Sequence, residues 1–365
     1  MKVGVLTWYK AINHGAVLQT YASCKVLESL GCKPVVLDFD WELDDEKKEN
    51  QWKKIRRRLS SVTPRKMYWY FNVKKNLKFK VEAFNDFIVE ELPVGKNYHI
   101  ESDLDAVYIG SDMVFDITEG YNPYMYGIGV PSNYIFSYAA SFGYTTYEKL
   151  LHSEHAAEIE SALSKLKAIG YRDQNTLYVC DKLGNNVPKE ANIDPVLLYG
   201  FKDEINKWNS NKWSKEKYIL VYAYDSTMND RETIEQIKRI AQKEGLKIVS
   251  CGYYHNWCDE CIPASPKEFL EMFVYAKYVI TDTFHGTVFS LICHKNFVAI
   301  VRNNGFKVKH LLDQTHLENR IVKQTIADIL KCKPDFSFFD QWVESERNKS
   351  KNYIDLNIKM AGEQK

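Results

Sequence analysis

No stretch of this sequence approaches 18 consecutive apolar residues, which excludes a membrane-spanning helix of ordinary length. Neither sign of charge is in excess: 49 Lys and Arg face 48 Asp and Glu, a formal net charge of +1. No global field therefore favours nucleic acid or an anionic surface as partner. The opening residues, MKVGVLTWYK, lack the apolar core and cleavage site of a secretory signal. The eight cysteines are scattered, and several fall inside apolar segments, as reduced thiols do. The expected compartment is the cytoplasm. The fingerprint G-x-G-x-x-G is missing, so no dinucleotide is expected. His255, Cys258 and Cys261 form H-x-x-C-x-x-C, but a second cysteine pair is absent and no fourth ligand is evident. Two free loop thiols are expected there, and no metal.

What is present is an α/β rhythm that occurs twice. Residues 3–8 and 34–39 read as strands flanking a helix over 16–30, which Gly31 stops. This β–α–β unit implies a parallel sheet with a right-handed crossover. Strand-like runs return at 106–109, 134–139 and 168–171, with helical patterns over 148–166 and 174–182. The rhythm restarts with strands at 218–224, 246–251, 278–281 and 297–301, separated by helices over 230–244 and 266–275 and by the helix that carries Gly286. Helical patterns over 307–314 and 325–331 follow. The pattern predicts two Rossmann-like, doubly wound α/β domains facing a cleft. The first spans 1–200 and the second 201–335. The tail, 336–365, is expected to be helical and to pack across both. Residues 41–87 break the rhythm. From Lys47 to Lys80 this excursion carries 13 Lys or Arg against one acid, Glu49, with Trp52, Tyr68, Trp69, Tyr70 and Phe71 interleaved. It reads as a solvated helical excursion or as a peripheral contact with a membrane surface.

Ligands of open α/β sheets bind outside the carboxyl ends of the strands, which selects four clusters. Asn13, His14 and Gly15 lie between the first strand and its helix; they suit an anion or an acceptor hydroxyl, or Asn13 merely caps the helix. Ser111 and Asp112 end the strand DAVYIG, where a carboxylate can accept from a sugar hydroxyl or take its proton. Arg172 follows the middle strand and suits a bidentate clamp on phosphate or carboxylate, or a surface pair with Asp173. Thr281, Asp282, Thr283 and His285 crowd the end of the strand in YVITDTFHGTVFSLI. His285 there sits at a helix start beside unpaired backbone N–H groups, and its titration range lets it move protons.

Taken in order, these segments resemble the polysaccharide pyruvyl transferase family. NHGAVLQTYA looks like its opening motif, YIGSDMVFD like its G-S-D-Q-x-W segment, and SYAASFG, GYRDQ, IDPVLL and SPKEFLEMFVYAKYVITDTFHGTVFSL continue it. The resemblance runs from Val3 to about Arg320. It implies a fold similar to glycosyltransferase B, with the acceptor on the first domain and the donor on the second. It implies transfer of the enolpyruvyl unit of phosphoenolpyruvate to two hydroxyls of one sugar, forming a pyruvate ketal and releasing phosphate. The acceptor is then a cell-surface polysaccharide, such as capsule or exopolysaccharide, or its lipid-linked precursor at the inner face of the membrane. No cofactor is implied. On this reading Arg172, Thr283, His285 and Gly286 bind the donor, and Asn13, His14, Gly15, Ser111 and Asp112 bind the acceptor. His285 is the acid, and Asp112 or Asp282 the base. Thr283-Phe284 stands where some relatives carry Arg-Leu, which removes one cation. Met113 and Phe115 replace the more usual Gln and Trp. A nucleotide-sugar glycosyltransferase of the same fold and a non-catalytic glycan-binding protein are the alternatives.

Overall fold

A computed structural model of the chain describes residues 1–39, 64–97, 103–118, 120–301, 305–323 and 325–363, with backbone alone at 64–70 and 96–97. Twelve strands among the described residues form two sheets. They are β1 Lys2–Leu6, β2 Lys33–Asp38, β3 Val94–Asn97, β4 Ala106–Ile109, β5 Ile135–Ala140, β6 Ala168–Tyr171, β7 Lys189–Ala191, β8 Tyr218–Tyr222, β9 Lys247–Cys251, β10 Glu260–Ile262, β11 Tyr278–Thr281 and β12 Phe297–Ala299. The first sheet runs β3-β2-β1-β4-β5-β6-β7 and the second β10-β9-β8-β11-β12. Every strand pairing is parallel. Strand order therefore reverses beside β1 in one sheet and beside β8 in the other. Those reversals open a crevice at the carboxyl ends of β1 and β4, and of β8 and β11. The result is a pair of Rossmann-like units in the glycosyltransferase B-like arrangement.

The central strands are apolar because helices cover both faces. All of β4 and β8 is buried, as are four of the five residues of β1. Helix His14–Ser29 is buried on most of its circumference rather than along one stripe. The reason is its position: it touches helices Pro266–Tyr275 and Phe284–Ile292 of the second unit as well as Pro195–Tyr199. Tyr21, Phe201, Phe269 and Phe289 belong to one apolar core that runs through both units. Tyr21 and Tyr199 both donate to Glu204, at 2.9 and 2.6 Å, which satisfies the polar ends of that aromatic cluster.

Helix Pro64–Glu91 ends the excursion and docks on the second unit. Lys267 pairs with Glu90 and Glu91 at 2.9 and 2.7 Å. The buried Lys80 ammonium lies 4.1 Å from the centre of the Tyr253 ring. Residues 47–63, with Trp52, and the side chains of Tyr68, Trp69 and Tyr70 lie outside the described residues. The tail is one helix, Ser337–Glu363. Its Tyr353 donates to the Ser137 carbonyl at 2.9 Å in the first unit, while Asp340 pairs with His294 of the second. No helix among the described residues is long and apolar enough to cross a membrane.

Candidate active site

The carboxyl ends of both sheets meet around a cleft of about 590 Å³. Asn13 arrives from β1, Asp112 from β4 and Arg172 from β6. Tyr224 follows β8, Asp282, Thr283 and His285 follow β11, and Lys307 follows β12. The strand-end rule thus brings together residues as far apart in sequence as 13 and 307. A smaller pocket of about 250 Å³ lies behind Arg172, Phe284 and Lys307, which line both spaces.

Arg172 is the electrostatic centre, and its role differs from the clamp expected of it. Nη2 donates to Asp112 at 2.8 Å and Nη1 to Asp194 at 2.7 Å. Phe284 covers it, with the guanidinium carbon 4.7 Å from the ring centre. Both arms of the fork are engaged, so an incoming anion must displace a carboxylate to gain a bidentate contact. Arg172 is a strut that fixes two acids. Burial alone would raise the Asp112 carboxyl, but the charges of Arg172, Lys307 and His285 outweigh it and hold Asp112 well below the usual range. Asp112 is therefore an ionised hydrogen-bond acceptor held in place by Arg172. Its backbone sits in the left-handed region, φ 69°, where its carbonyl accepts from Ser141 at 2.9 Å and Val114 at 2.8 Å.

Asp194 entered the sequence reading only within the segment IDPVLL, with no role assigned to it. It caps helix Pro195–Tyr199, its Oδ1 accepting from Val196 N–H at 2.9 Å. Its Oδ2 holds Arg172 and lies 3.5 Å from His285 Nε2. Burial would raise its carboxyl; the His285 and Arg172 charges and the cap amide reverse that and lower it. An Asp directly before a Pro at a helix start is a cap signature, and it was the available signal.

His285 is held on three sides. Asp194 stands beyond Nε2. Gly15 lies so close that a Cβ there would come within 2.1 Å of Nδ1. Gly15 is therefore the space into which the imidazole fits, rather than an acceptor contact. Thr283 caps the helix below, accepting from Gly286 N–H at 2.9 Å and bonding Thr281 Oγ1 at 3.1 Å. That cap consumes the Gly286 amide expected to bind the donor, so Gly286 contributes close packing instead. A Cβ on Gly286 would lie 2.1 Å from Thr281 Oγ1.

Two more expectations change. His14 does not line the cleft: it is fully buried, stacked on Phe269 at 4.5 Å, with Nε2 bonded to the Ala264 carbonyl at 2.8 Å. Burial and the nearby Lys80 charge press its pKa well below the usual value, so it stays neutral. Ser111 is also fully buried and donates to the Ala139 carbonyl at 2.9 Å. Asn13 caps the helix, accepting from Gly15 N–H at 2.9 Å, and also lines the cleft. His255 is likewise structural, its Nε2 bonded to the Ala223 carbonyl at 3.0 Å. Among the described residues no His, Cys, Asp and Glu group has the geometry of a metal site.

Sequence reasoning also missed Tyr224 and Lys307. Burial and the Asp112 charge push the Tyr224 phenol up to about 12, so it is a neutral hydroxyl at the cleft. Lys307 stands in the first turn of helix Phe306–Gln314, whose cap, Gly305, carries no side chain. Gly305 before an apolar helical stretch was the only hint.

The family model described as polysaccharide pyruvyl transferase matches residues 13–304. No curated protein matches the sequence. Among solved structures, the N-terminal domain of Candida albicans trehalose-6-phosphate phosphatase superposes with a TM-score of 0.50 at 11% identity, covering 99% of this chain and 96% of that one. The UDP-GlcNAc 2-epimerase of Methanocaldococcus jannaschii gives 0.49 at 10% identity, covering 91% and 92%. The Neisseria meningitidis enzyme of the same name, bound to UDP-GlcNAc, gives 0.48 at 11%, covering 99% and 94%.

Proposed function

Because the chain belongs to the polysaccharide pyruvyl transferase family, we propose that it transfers the enolpyruvyl unit of phosphoenolpyruvate to a sugar of a cell-surface polysaccharide or its lipid-linked precursor. The observation that carries this reading is His285. Its imidazole lines the cleft where both sheets reverse, backed by the Asp194 carboxylate at 3.5 Å. A carboxylate behind an imidazole stabilises the charged ring and fixes its orientation.

In the proposed reaction His285 gives a proton to the methylene carbon of the donor, which becomes the methyl group. The adjacent carbon gains oxocarbenium character and a sugar hydroxyl attacks it, passing its proton to a carboxylate. The carbon–oxygen bond to phosphate then breaks, and phosphate leaves with the electron pair. The second hydroxyl attacks the carbon so exposed and closes the ketal, its proton passing to the released phosphate, while the proton on the carboxylate returns to His285 through solvent. Of the two acids first considered as base, Asp282 is preferred, because the Asp112 carboxylate is bound by Arg172 and its proton affinity is lowered by that charge. Asp112, Asn13 and Tyr224 then receive and orient the acceptor hydroxyls. Such positioned acid–base groups contribute roughly 10²–10⁴ in rate. No step calls for a metal or cofactor. The exact placement of the reaction at the inner face of the membrane, through the basic stretch 47–80, belongs to the same proposal.

The test is a mass-spectrometric screen of sugar acceptors incubated with the protein and phosphoenolpyruvate. The expected result is a product heavier by one pyruvate ketal, with one phosphate released per product. Transfer from a nucleotide sugar with release of nucleoside diphosphate contradicts the proposal and identifies a glycosyltransferase. Sugar binding that phosphoenolpyruvate leaves unchanged, with no product, identifies a binding protein.

A further inference from the structure

Among the described residues the cleft holds three basic side chains, and two are already committed. Arg172 is paired at both arms and covered by Phe284. His285 faces Asp194. Lys307 makes no ion pair or hydrogen bond with any of the described residues, although carboxylates stand around it. Asp112 and Asp116 come from the segment after β4, Asp173 from the end of β6 and Asp282 from the end of β11, with His310 on its own helix beside the smaller pocket. Charge is thus unevenly spread. Asp112 and Asp194 bind Arg172, Asp282 also lines the cleft and Asp173 the smaller pocket, and a dianion entering the cleft meets repulsion unless another cation receives it.

Lys307 also stands at the right place. It follows β12 on the side of the second unit and forms part of the partition between the 590 Å³ cleft and the 250 Å³ pocket. A phosphoryl group against it lies in the cleft that His285 also lines.

Resting on the function proposed above, we infer that Lys307 is the cation that receives the donor's phosphate group, taking over the role expected of Arg172 and supplying the charge that Thr283 lacks. The ligand class is a phosphate monoester dianion, and the contact is a charge-assisted hydrogen bond from the ammonium. This makes donor binding sensitive to pH. Burial and the like charge of Arg172 bring the free lysine down to about 8, against the pull of Asp112, Asp173 and Asp116. A bound dianion favours the protonated amine. The phosphate itself is already fully ionised above about pH 7. Affinity is then retained below pH 8 and falls as pH rises above it.

Calorimetric titration at pH 7, 8 and 9 tests this with phosphoenolpyruvate and, separately, inorganic phosphate. At pH 7, Lys307→Met is expected to weaken phosphoenolpyruvate about tenfold or more, the loss of one hydrogen bond to a charged group. Wild type is expected to lose up to about tenfold per pH unit above 8. Lys307→Arg is expected to keep binding and abolish that fall, since its guanidinium stays charged. Equal affinity in wild type and Lys307→Met, with no pH dependence in wild type, overturns the inference and leaves the proposed reaction standing. Inorganic phosphate bound through Lys307 with no phosphoenolpyruvate binding at any pH supports the phosphate site and overturns the proposed donor.

Discussion

The molecule contains two His-Gly pairs, each just after a strand and at the start of a helix, and they do opposite things. His14-Gly15 follows β1 and His285-Gly286 follows β11. His14 is sealed between the units, stacked on Phe269, with Gly252 so near that a Cβ there would come within 2.4 Å of its ring. His285 borders the cleft, and Gly15 of the other pair makes room for it. The first histidine packs the two units together, and the second lines the cleft between them. Local pattern is the same in both; their partners separate a ring packed between the units from one that borders the cleft.

Substitutions can break that contrast. His14→Ala is expected to cost about 3 kcal/mol of stability, since it removes a buried ring and strands the Ala264 carbonyl. Denaturant unfolding measures it, and the molecules that remain folded are expected to turn over at near the wild-type rate. Gly15→Ala drives a methyl group into His285. Overpacking of this kind costs about 2 kcal/mol, and displacing His285 is expected to lower turnover about tenfold or more. If Gly15→Ala loses stability but keeps its activity, the close fit is structural alone.

A smaller effect sharpens the His14 side. Lys80, buried beside Tyr253, falls from 10.5 to about 8, chiefly through burial. Between those values the unfolded chain binds the proton and the folded chain does not. Stability therefore rises with pH across that window on account of this residue, by up to about 1.4 kcal/mol per pH unit. Buried cysteines and tyrosines oppose the trend at higher pH, so the quantity to measure is wild type minus Lys80→Met. That difference is expected to increase from pH 8 to 10. A flat difference contradicts the buried position of the ammonium.

The contrast also shows where sequence reading succeeds. The central strands, β1, β2, β4, β8, β9 and β11, are legible because burial on both faces demands apolar runs. β3, β7 and β10 were not foreseen: they are edge strands of three or four residues, and β7 and β10 are partly exposed, so little hydrophobic signal marks them. The expected helix over 148–166 is two, Tyr147–Leu151 and Ala156–Leu163. In the site, Asn13, Asp112, Arg172, Asp282 and His285 follow from the rule that ligands gather at strand ends. The engagement of Arg172 does not follow, because its partners lie 60 and 22 residues away and nothing local announces them. Nor does the side on which a strand-end residue points, which is why His14 and Ser111 looked like site residues. Lys307 was hidden behind β12, a strand of three residues, in a helix that began with glycine rather than a polar cap.

The most direct measurement is pyruvate transfer per folded molecule in His285→Ala, with the melting temperature taken on the same sample. The account predicts turnover lower by about 10²-fold or more at a nearly unchanged melting temperature, whereas His14→Ala melts early and still transfers. Transfer by folded His285→Ala at the wild-type rate contradicts the account.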